Sequence, residues 1–337
     1  MKAFPLILLA HAVASGQARR VVVDTTHVCT GCRLTFDSVV TLGLSDRGSQ
    51  RIQDVVAQAD ERFVVLTRSL SAPVFSSTGV VVDSIGAGVT ALRSAPVAQA
   101  VGPRGELFLF SSDQRVVVFD SSGRFRRSLT LGTSARSPVI LSDGKIAALT
   151  PLLMPAGSKE SATELPLIRL HDTTGAVLRA FGSALTEPDA VVFAGKNGTL
   201  WTARSPNELQ EWSQTGQLLR IIERPMPGFG GRQFLGDSAG GMVQPQLIAA
   251  RQDEAGLVWV AYINSMRRPG CGKPAAQCWN SVVDVLNPDS GELIATGRLP
   301  VLASALLGYG YASALVDAST DRRVAVIYRG RLTRPRR

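Results

Sequence analysis

Two cysteine pairs are the residues of this chain whose spacing most directly suggests chemistry. The first is the C-x-x-C sequence Cys29-Thr-Gly-Cys32. Haem attachment requires a histidine after the second cysteine, and Arg33 stands there instead. A redox-active dithiol requires a helix N-terminus, whereas the residues that follow favour a strand. A zinc site requires four ligands, and His27 would supply only a third. The sequence therefore predicts a structural disulfide.

The second pair, Cys271 and Cys278, lies in a segment that contains proline and glycine. A disulfide between them would restrict the unfolded chain, which is worth about 2–3 kcal/mol in the chain-entropy model. Trp279, which follows, could pack on the sulfurs or present an aromatic surface. Pairing within each motif is the simplest of three possible connectivities, and the sequence leaves the other two open.

Catalytic groups are sparse. Beyond the apolar N-terminus the chain has only His27 and His171, and His171 ends a strand-like run before a D-x-x-G turn. No nucleophile-elbow motif accompanies a Ser-His-Asp set, and no G-x-x-x-x-G-K-[ST] loop is present for nucleotide phosphates. The sequence therefore predicts neither catalytic residues nor a cofactor.

Apolar runs of strand length recur along the chain with one internal spacing. Residues 105–123 hold an apolar run, a polar turn, a second apolar run and a D-x-x-G turn, which is typical of antiparallel strands. Gly105 precedes Asp120 by 15 positions, and three further units share this spacing. Two more fit if their hairpins carry insertions, which would hold residues 151–166 and the second cysteine pair. The six units begin at Glu61, Gly105, Gly144, Gly198, Gly256 and Ser313.

A unit together with the short apolar strands before and after it makes four strands, which is one propeller blade. We therefore predict an all-β fold, a six-bladed β-propeller of four-stranded antiparallel blades. The last unit lacks its fourth strand, and residues 34–42 have no blade of their own. We expect this N-terminal strand to complete the last blade and close the ring, which removes exposed sheet edges. Paired β-sandwiches or a β-solenoid would not explain equal spacing with two insertions at the same hairpin.

The unit at residues 105–123 has the shape G-x-h-h-h-x, a polar turn and R-V-x-V-F-D-x-x-G. It resembles the NHL-type repeat of six-bladed β-propellers. The resemblance covers residues 34–330 and is closest in this second blade. A C-x-x-C ahead of the first strand also resembles exported bacterial propellers of unassigned role. Such propellers include binding scaffolds, sensor modules, lactonases and lyases, so the resemblance implies an architecture and leaves the activity open.

The segments that enter the innermost strands would meet at one mouth of the central channel. Guanidinium, carboxyl and amide groups clustered there would bind a carboxylate, a sugar or a peptide backbone. The predicted ligand-binding residues are Arg93, Arg136, Glu187, Asp189, Gln244 and Gln246.

The alternative use of the channel is a metal-dependent, lactonase-like hydrolysis. A divalent cation such as Ca²⁺ would need 6–8 oxygen ligands. Only two of the entering segments, one with Asp54 and one with Glu187 and Asp189, offer carboxylates. Facing arginines would repel a cation, so no metal site is predicted. Propeller lyases act through channel histidines, for which this chain lacks candidates.

The N-terminus has the anatomy of a secretory signal peptide. Lys2 precedes an apolar run over residues 4–14, and small-x-small sites end at Ala14 and Ala18. The run is shorter than the roughly 20 residues that span a bilayer. We expect residues 1–18 to be removed from a periplasmic or secreted protein without a transmembrane segment, where disulfides persist. An extension over 19–33, the propeller over 34–330 and a basic tail over 331–337 would follow.

The chain carries a net charge of +9, with arginines concentrated at both ends. This balance favours anionic partners, and we expect an unknown protein or a small anionic ligand rather than a specific nucleic acid. The sequence thus predicts an exported, monomeric binding propeller without enzymatic activity, with the lactonase-like hydrolase as the alternative.

Overall fold

The computed structural model describes residues 18–24, 29–44, 52–149, 167–182, 190–225, 246–263, 280–318 and 322–335. Within these residues the chain forms six β-sheets, and the only helical elements are two single 3-10 turns, Lys196–Gly198 and Gly308–Gly310.

Two strands precede the first complete blade: β1 (Arg19–Val22) and β2 (Arg33–Leu42). Blade 1 consists of β3 (Asp54–Ala57), β4 (Phe63–Leu66), β5 (Ala72–Phe75) and β6 (Val81–Ile85). Blade 2 consists of β7 (Pro96–Val101), β8 (Leu107–Ser111), β9 (Arg115–Phe119) and β10 (Phe125–Thr130). Blade 3 consists of β11 (Arg136–Ile140), β12 (Ile146–Leu149), β13 (Ile168–His171) and β14 (Val177–Phe181). Blade 4 consists of β15 (Val191–Ala194), β16 (Leu200–Ser205), β17 (Glu208–Trp212) and β18 (Leu218–Glu223). Blade 5 consists of β19 (Gln246–Gln252), β20 (Val258–Ile263), β21 (Ser281–Asn287) and β22 (Glu292–Leu299). Blade 6 contains β23 (Ala305–Leu306), β24 (Tyr311–Asp317) and β25 (Arg323–Thr333).

The blades are arranged in a ring, because a hydrophobic core fills the space between each neighbouring pair. The core that closes the ring joins Tyr311 and Ile327 of blade 6 to Val55 and Phe63 of blade 1. Middle strands are covered on both faces by adjacent blades, so they are continuously apolar, as in β4. Outer strands face water and are largely exposed, as in β6. The predicted six-bladed all-β fold is confirmed.

Ring closure uses the N-terminal strand. Strand β2 pairs antiparallel with β25 along its length, with Leu34 opposite Leu332 and Leu42 opposite Ala325. It supplies the missing outer strand of blade 6, as the sequence predicts. The two ends of the propeller are therefore held together by one hydrogen-bonded strand pair.

Strand β1 was not anticipated by the sequence, which gives residues 19–33 only as an extension. It pairs parallel with β18 and makes a fifth strand of blade 4. Val21 and Val23 are buried in the core between blades 4 and 5, and Asp24 bridges to Glu292 of blade 5. The N-terminal segment therefore contacts blades 4, 5 and 6 in succession.

Two details of blade 6 differ from the sequence prediction. Five of the predicted unit starts have positive φ, but the matching position in blade 6 is Gly310 (φ +77°) and not Ser313, which lies inside β24. The turn at Gly308–Gly310 contains the required glycine three residues earlier. Strand β25 also runs to Thr333, beyond the boundary at residue 330, so Arg331 belongs to a strand and not to a tail.

The antiparallel blades give the ring two distinct ends. One end, here called the turn face, carries the tight turns between the first and second and between the third and fourth strands. The other, the insertion face, carries the remaining hairpins and the connections between blades. The long connections that follow Leu149, Gly182, Pro225 and Ile263 all start on the insertion face.

Candidate functional site

The predicted ligand-binding residues that the structure describes stand on the insertion face. Arg136 and Gln246 begin the inner strands β11 and β19, and Arg93 lies just before the inner strand β7. Arg93 and Gln246 are exposed and Arg136 is half-buried. Within the described residues neither arginine forms an ion pair. The other predicted residues, Glu187, Asp189 and Gln244, lie outside the described residues.

The three inner strands beside these residues are irregular at the same end. Each has a register shift in its first residues, between Pro96 and Ala98 in β7, Arg136 and Val139 in β11, and Leu247 and Ala249 in β19. Such bulges bend a strand and redirect its side chains, and they are frequent at rims and next to binding sites.

The backbone beside Arg136 is also unusual. Ser137 has a φ of +46°, in the left-handed region that residues with a side chain seldom adopt. Strain of this kind persists only where the surrounding structure imposes it, and it is concentrated at functional sites. The sequence contains no glycine or asparagine at this position that would have signalled the conformation.

Asp54 begins the inner strand β3 at the same end of the ring. Its carboxylate accepts a hydrogen bond from the backbone N–H of Val55 at 2.8 Å, and the Gln99 side chain lies beside it. The side chain keeps some contact with water, but protein surrounds most of it. The loss of hydration outweighs both hydrogen bonds and raises the pKa of Asp54 to about 6.

Groups that could perform metal or histidine chemistry are not assembled in the part of the chain that the structure describes. No three histidine, cysteine, aspartate or glutamate side chains there are placed to hold a metal ion. His171 is fully buried at the end of β13, its Nδ1 lies 3.0 Å from the Gly175 carbonyl oxygen, and burial lowers the pKa of its imidazole. It is a neutral core residue, and His27 lies outside the described residues.

The first cysteine pair forms the predicted disulfide. Cys29 and Cys32 are bonded, with their Cα atoms 5.4 Å apart, in the turn that leads into β2. Cys271 and Cys278 lie outside the described residues, so their pairing stays a prediction.

A buried charge cluster between blades 4 and 5 was missed at the sequence level. Arg224 and Asp284 form an ion pair with both side chains almost fully buried. Asp284 also accepts hydrogen bonds from Tyr262 Oη at 3.1 Å and Thr296 Oγ1 at 2.6 Å. Burial, with Asp284 close by, raises the pKa of Tyr262. A single aspartate inside the apolar run of β21 was the available signal, and its full set of partners indicates a structural role.

Three of the cavities that the described residues line open on the turn face. One of about 720 Å³ lies between blades 4 and 5, one of about 400 Å³ between blades 5 and 6, and one of about 710 Å³ between blades 2 and 3. In the first cavity, Arg220 Nε lies 3.2 Å from Glu211 Oε2 and Arg220 Nη1 lies 2.8 Å from Asp289 Oδ1. The guanidinium charge of Arg220 is therefore already paired. None of the three is lined by Arg93, Arg136 or Gln246.

These observations define the protein as a six-bladed β-propeller. No family model matches the chain, and no curated protein matches it. Among solved structures, it is similar to a member of the DUF4221 family from Bacteroides vulgatus, with 12% identity and a TM-score of 0.59 over 89% of this chain and 99% of that chain.

Two lyase structures show weaker similarity. A streptogramin B lyase has 11% identity and a TM-score of 0.49 over 89% of this chain and 98% of that chain. Virginiamycin B lyase from Staphylococcus aureus has 10% identity and a TM-score of 0.48 over 87% of this chain and 99% of that chain. At such identities the DUF4221 similarity establishes the fold alone, and the lyase alignments support no conclusion about activity. Among the described residues no helix is long and apolar enough to cross a membrane.

Proposed function

We propose that the protein is an exported binding propeller that holds a carboxylate-bearing ligand at the channel mouth on the insertion face. The observation that carries this proposal is the set of bulges in the inner strands β7, β11 and β19. They occur at the end of the ring where Arg93, Arg136 and Gln246 stand.

The chemistry of these residues suits an anionic oxygen. Arg93 and Arg136 offer planar, always charged donors that bind carboxylates in bidentate fashion. Asp54, whose pKa lies at about 6, is partly protonated in mildly acidic solution and can then donate a hydrogen bond itself. Loops on a rigid scaffold are the usual place for binding residues, and the long connections of this chain leave from the same face.

Export is supported by the N-terminal residues. The signal-like segment ends at Ala18, and strand β1 begins at Arg19. A Cys29–Cys32 disulfide fits an oxidising compartment. Export itself is part of the proposal.

The experiment is a thermal-shift series on the mature protein with succinate, citrate and poly-glutamate as probes. We expect at least one probe to raise the Tm, because a ligand that binds only the folded state stabilises it. The double variant Arg93→Ala/Arg136→Ala should lose this shift. The matched control is Arg127→Ala/Arg179→Ala, which removes the same charge from outer strands of the same two blades and should keep it.

Two results would contradict the proposal. One is a wild-type Tm that none of the three probes changes. The other is an equal response of both double variants, which would assign the effect to general charge and not to the channel mouth.

A further inference from the structure

We propose that the cavity between blades 5 and 6 is a second binding site, for a small carboxylate with an aromatic body. Its volume of about 400 Å³ lies within the range of small-molecule sites. It opens on the turn face, away from the channel mouth of the proposed function. Phe36, Trp259 and Tyr309 line it, and we call it the aromatic cavity. Tyr311 also borders it, but its ring packs against Phe63 of blade 1.

Arg251 supplies the charge that the carboxylate would meet. It is near the end of β19, opposite Trp259 of β20, and lines the aromatic cavity. Its Nη1 is buried and has no hydrogen-bond partner within the described residues. A buried N–H without a partner is costly, so the guanidinium lacks part of its hydrogen bonding. A carboxylate that meets the guanidinium in the cavity would supply charge-assisted hydrogen bonds.

The neighbouring carboxylates do not already fill this role. Asp253 accepts hydrogen bonds from Trp259 Nε1 at 2.8 Å and from the backbone N–H of Leu257 at 2.9 Å, one on each oxygen. Glu254 is exposed. Burial lowers the pKa of the Arg251 guanidinium although both carboxylates oppose this shift, which indicates how poorly its charge is solvated.

Tyr309 is held in a strained conformation at the rim of the aromatic cavity. It has a φ of +60° in the turn Gly308–Gly310 and is 45% exposed. The matching turn of blade 4 has Asn197 there, with a φ of +63°. Asparagine adopts this region more readily than a residue with a bulky side chain. The tyrosine is thus less favourable for the turn than asparagine, and a contact with a ligand would account for it.

Gly330 allows two of the rings that line the aromatic cavity to pack closely on the strand. A Cβ at this position would lie 2.9 Å from Phe36 Cε1 and 3.3 Å from Trp259 Cζ3. Glycine inside a strand often marks a place where a ligand or another backbone comes close. The close packing of the two rings therefore depends on a residue that strand propensity alone would disfavour.

The test compares 3-phenylpropionate with its uncharged analogue 3-phenylpropionamide by isothermal titration calorimetry on the mature chain. We expect the carboxylate to bind at least about tenfold more tightly than the amide, because only the carboxylate makes a charge-assisted bond to Arg251. Arg251→Met should weaken carboxylate binding by at least about tenfold and leave the two ligands nearly equal.

A pair of turn variants separates binding from folding. Tyr309→Asn should raise the Tm, because it relieves the left-handed strain, and should weaken carboxylate binding by removing one wall. The matched control Asn197→Tyr should lower the Tm and leave binding unchanged. Arg93→Ala/Arg136→Ala should also leave binding at the aromatic cavity unchanged, since those residues lie on the insertion face.

The proposal is overturned if wild-type protein binds neither ligand or binds both equally, a result that depends on no variant. Unchanged carboxylate binding by folded Arg251→Met would also overturn it.

Discussion

At the scale of single residues, two aspartates show how environment decides the behaviour of a carboxyl group. Asp284 is buried between blades 4 and 5, where Arg224, Tyr262 and Thr296 all donate to it. Asp54 has only a backbone N–H and the Gln99 amide near it, and no ion pair within the described residues. Asp284 therefore stabilises the interface between the blades, whereas Asp54 can titrate near neutral pH.

We predict that Asp54 makes stability fall as the pH rises from about 4 to about 6. Its pKa is about 6 in the folded protein and 3.8 when unperturbed, so the folded state binds the proton more tightly than the unfolded state. Across this window the loss should be about 2–3 kcal/mol, and it persists at higher pH. The Asp54→Asn variant should not show this loss. Urea unfolding of the wild type and the variant at about pH 4 and pH 7 would measure the free energy of unfolding of each.

Asp172→Asn is the matched control. Hydrogen bonds from Thr174 hold the pKa of Asp172 below its usual range, so it stays charged across the window and its replacement should lower stability at both pH values. If Asp54→Asn changed the free energy of unfolding by the same amount at both pH values, Asp54 would not be the group that titrates in this window.

At the scale of elements, the N-terminal segment contributes two strands with unequal roles. Strand β1 adds to the outside of a complete blade and buries little besides Val21. Strand β2 completes blade 6, and its Leu34, Val40 and Leu42 enter the cores on both sides of that blade. The same stretch of chain therefore carries one accessory strand and one essential strand.

We predict that deleting residues up to Leu42 causes aggregation or a large drop in Tm. The deletion exposes the edge of β25 and the apolar faces of blade 6, and it opens a ring that the strand otherwise closes. Differential scanning calorimetry and size-exclusion chromatography would measure both effects.

Deletion only up to Asp24 is the control and should lower the Tm modestly, because β18 already completes blade 4. Removal of residues 334–337 should leave stability nearly unchanged, since β25 ends at Thr333. If the deletion up to Leu42 melted like the intact protein, β2 would not be the closing strand.

At the scale of the whole molecule, the two faces of the ring differ. The turn face has short hairpins and the cavities between blades. The insertion face has the long connections, the bulged inner strands and the predicted binding residues. Because the blades are built alike, the differences between the faces reside in connections and single residues, which is where we place both proposed binding sites.

We predict that the exported protein lacks residues 1–18 and contains no free thiol. Intact-mass measurement of secreted material would check the first point, and thiol titration after denaturation without reductant would check the second. Peptide mapping should recover Cys271 linked to Cys278, beside the Cys29–Cys32 bond. Retention of Met1, or two or more free thiols per chain, would contradict this prediction.

Much of the fold follows from local sequence patterns. Strand lengths, turns and the recurring spacing are set by nearby residues, so the six blades and the missing outer strand of blade 6 can be recognised from them. Strand β1 could not be recognised, because a four-residue run of Arg and Val carries no turn signal and its parallel partner is distant. The unit start at Gly310 was misplaced at Ser313, since both positions lie close to the repeat spacing.

The sites depended on tertiary structure. Phe36, Arg251, Tyr309 and Gly330 belong to different strands and turns, and only ring closure brings them to one cavity. The raised pKa of Asp54 likewise results from desolvation by burial in the folded chain. By itself the sequence predicted the blades and the local pairing of Cys29 with Cys32 from short-range spacing, and it predicted the closing strand from the one strand that the last unit lacked. The tertiary structure decided which side chains meet between blades, because packing brings together residues that are far apart in the chain.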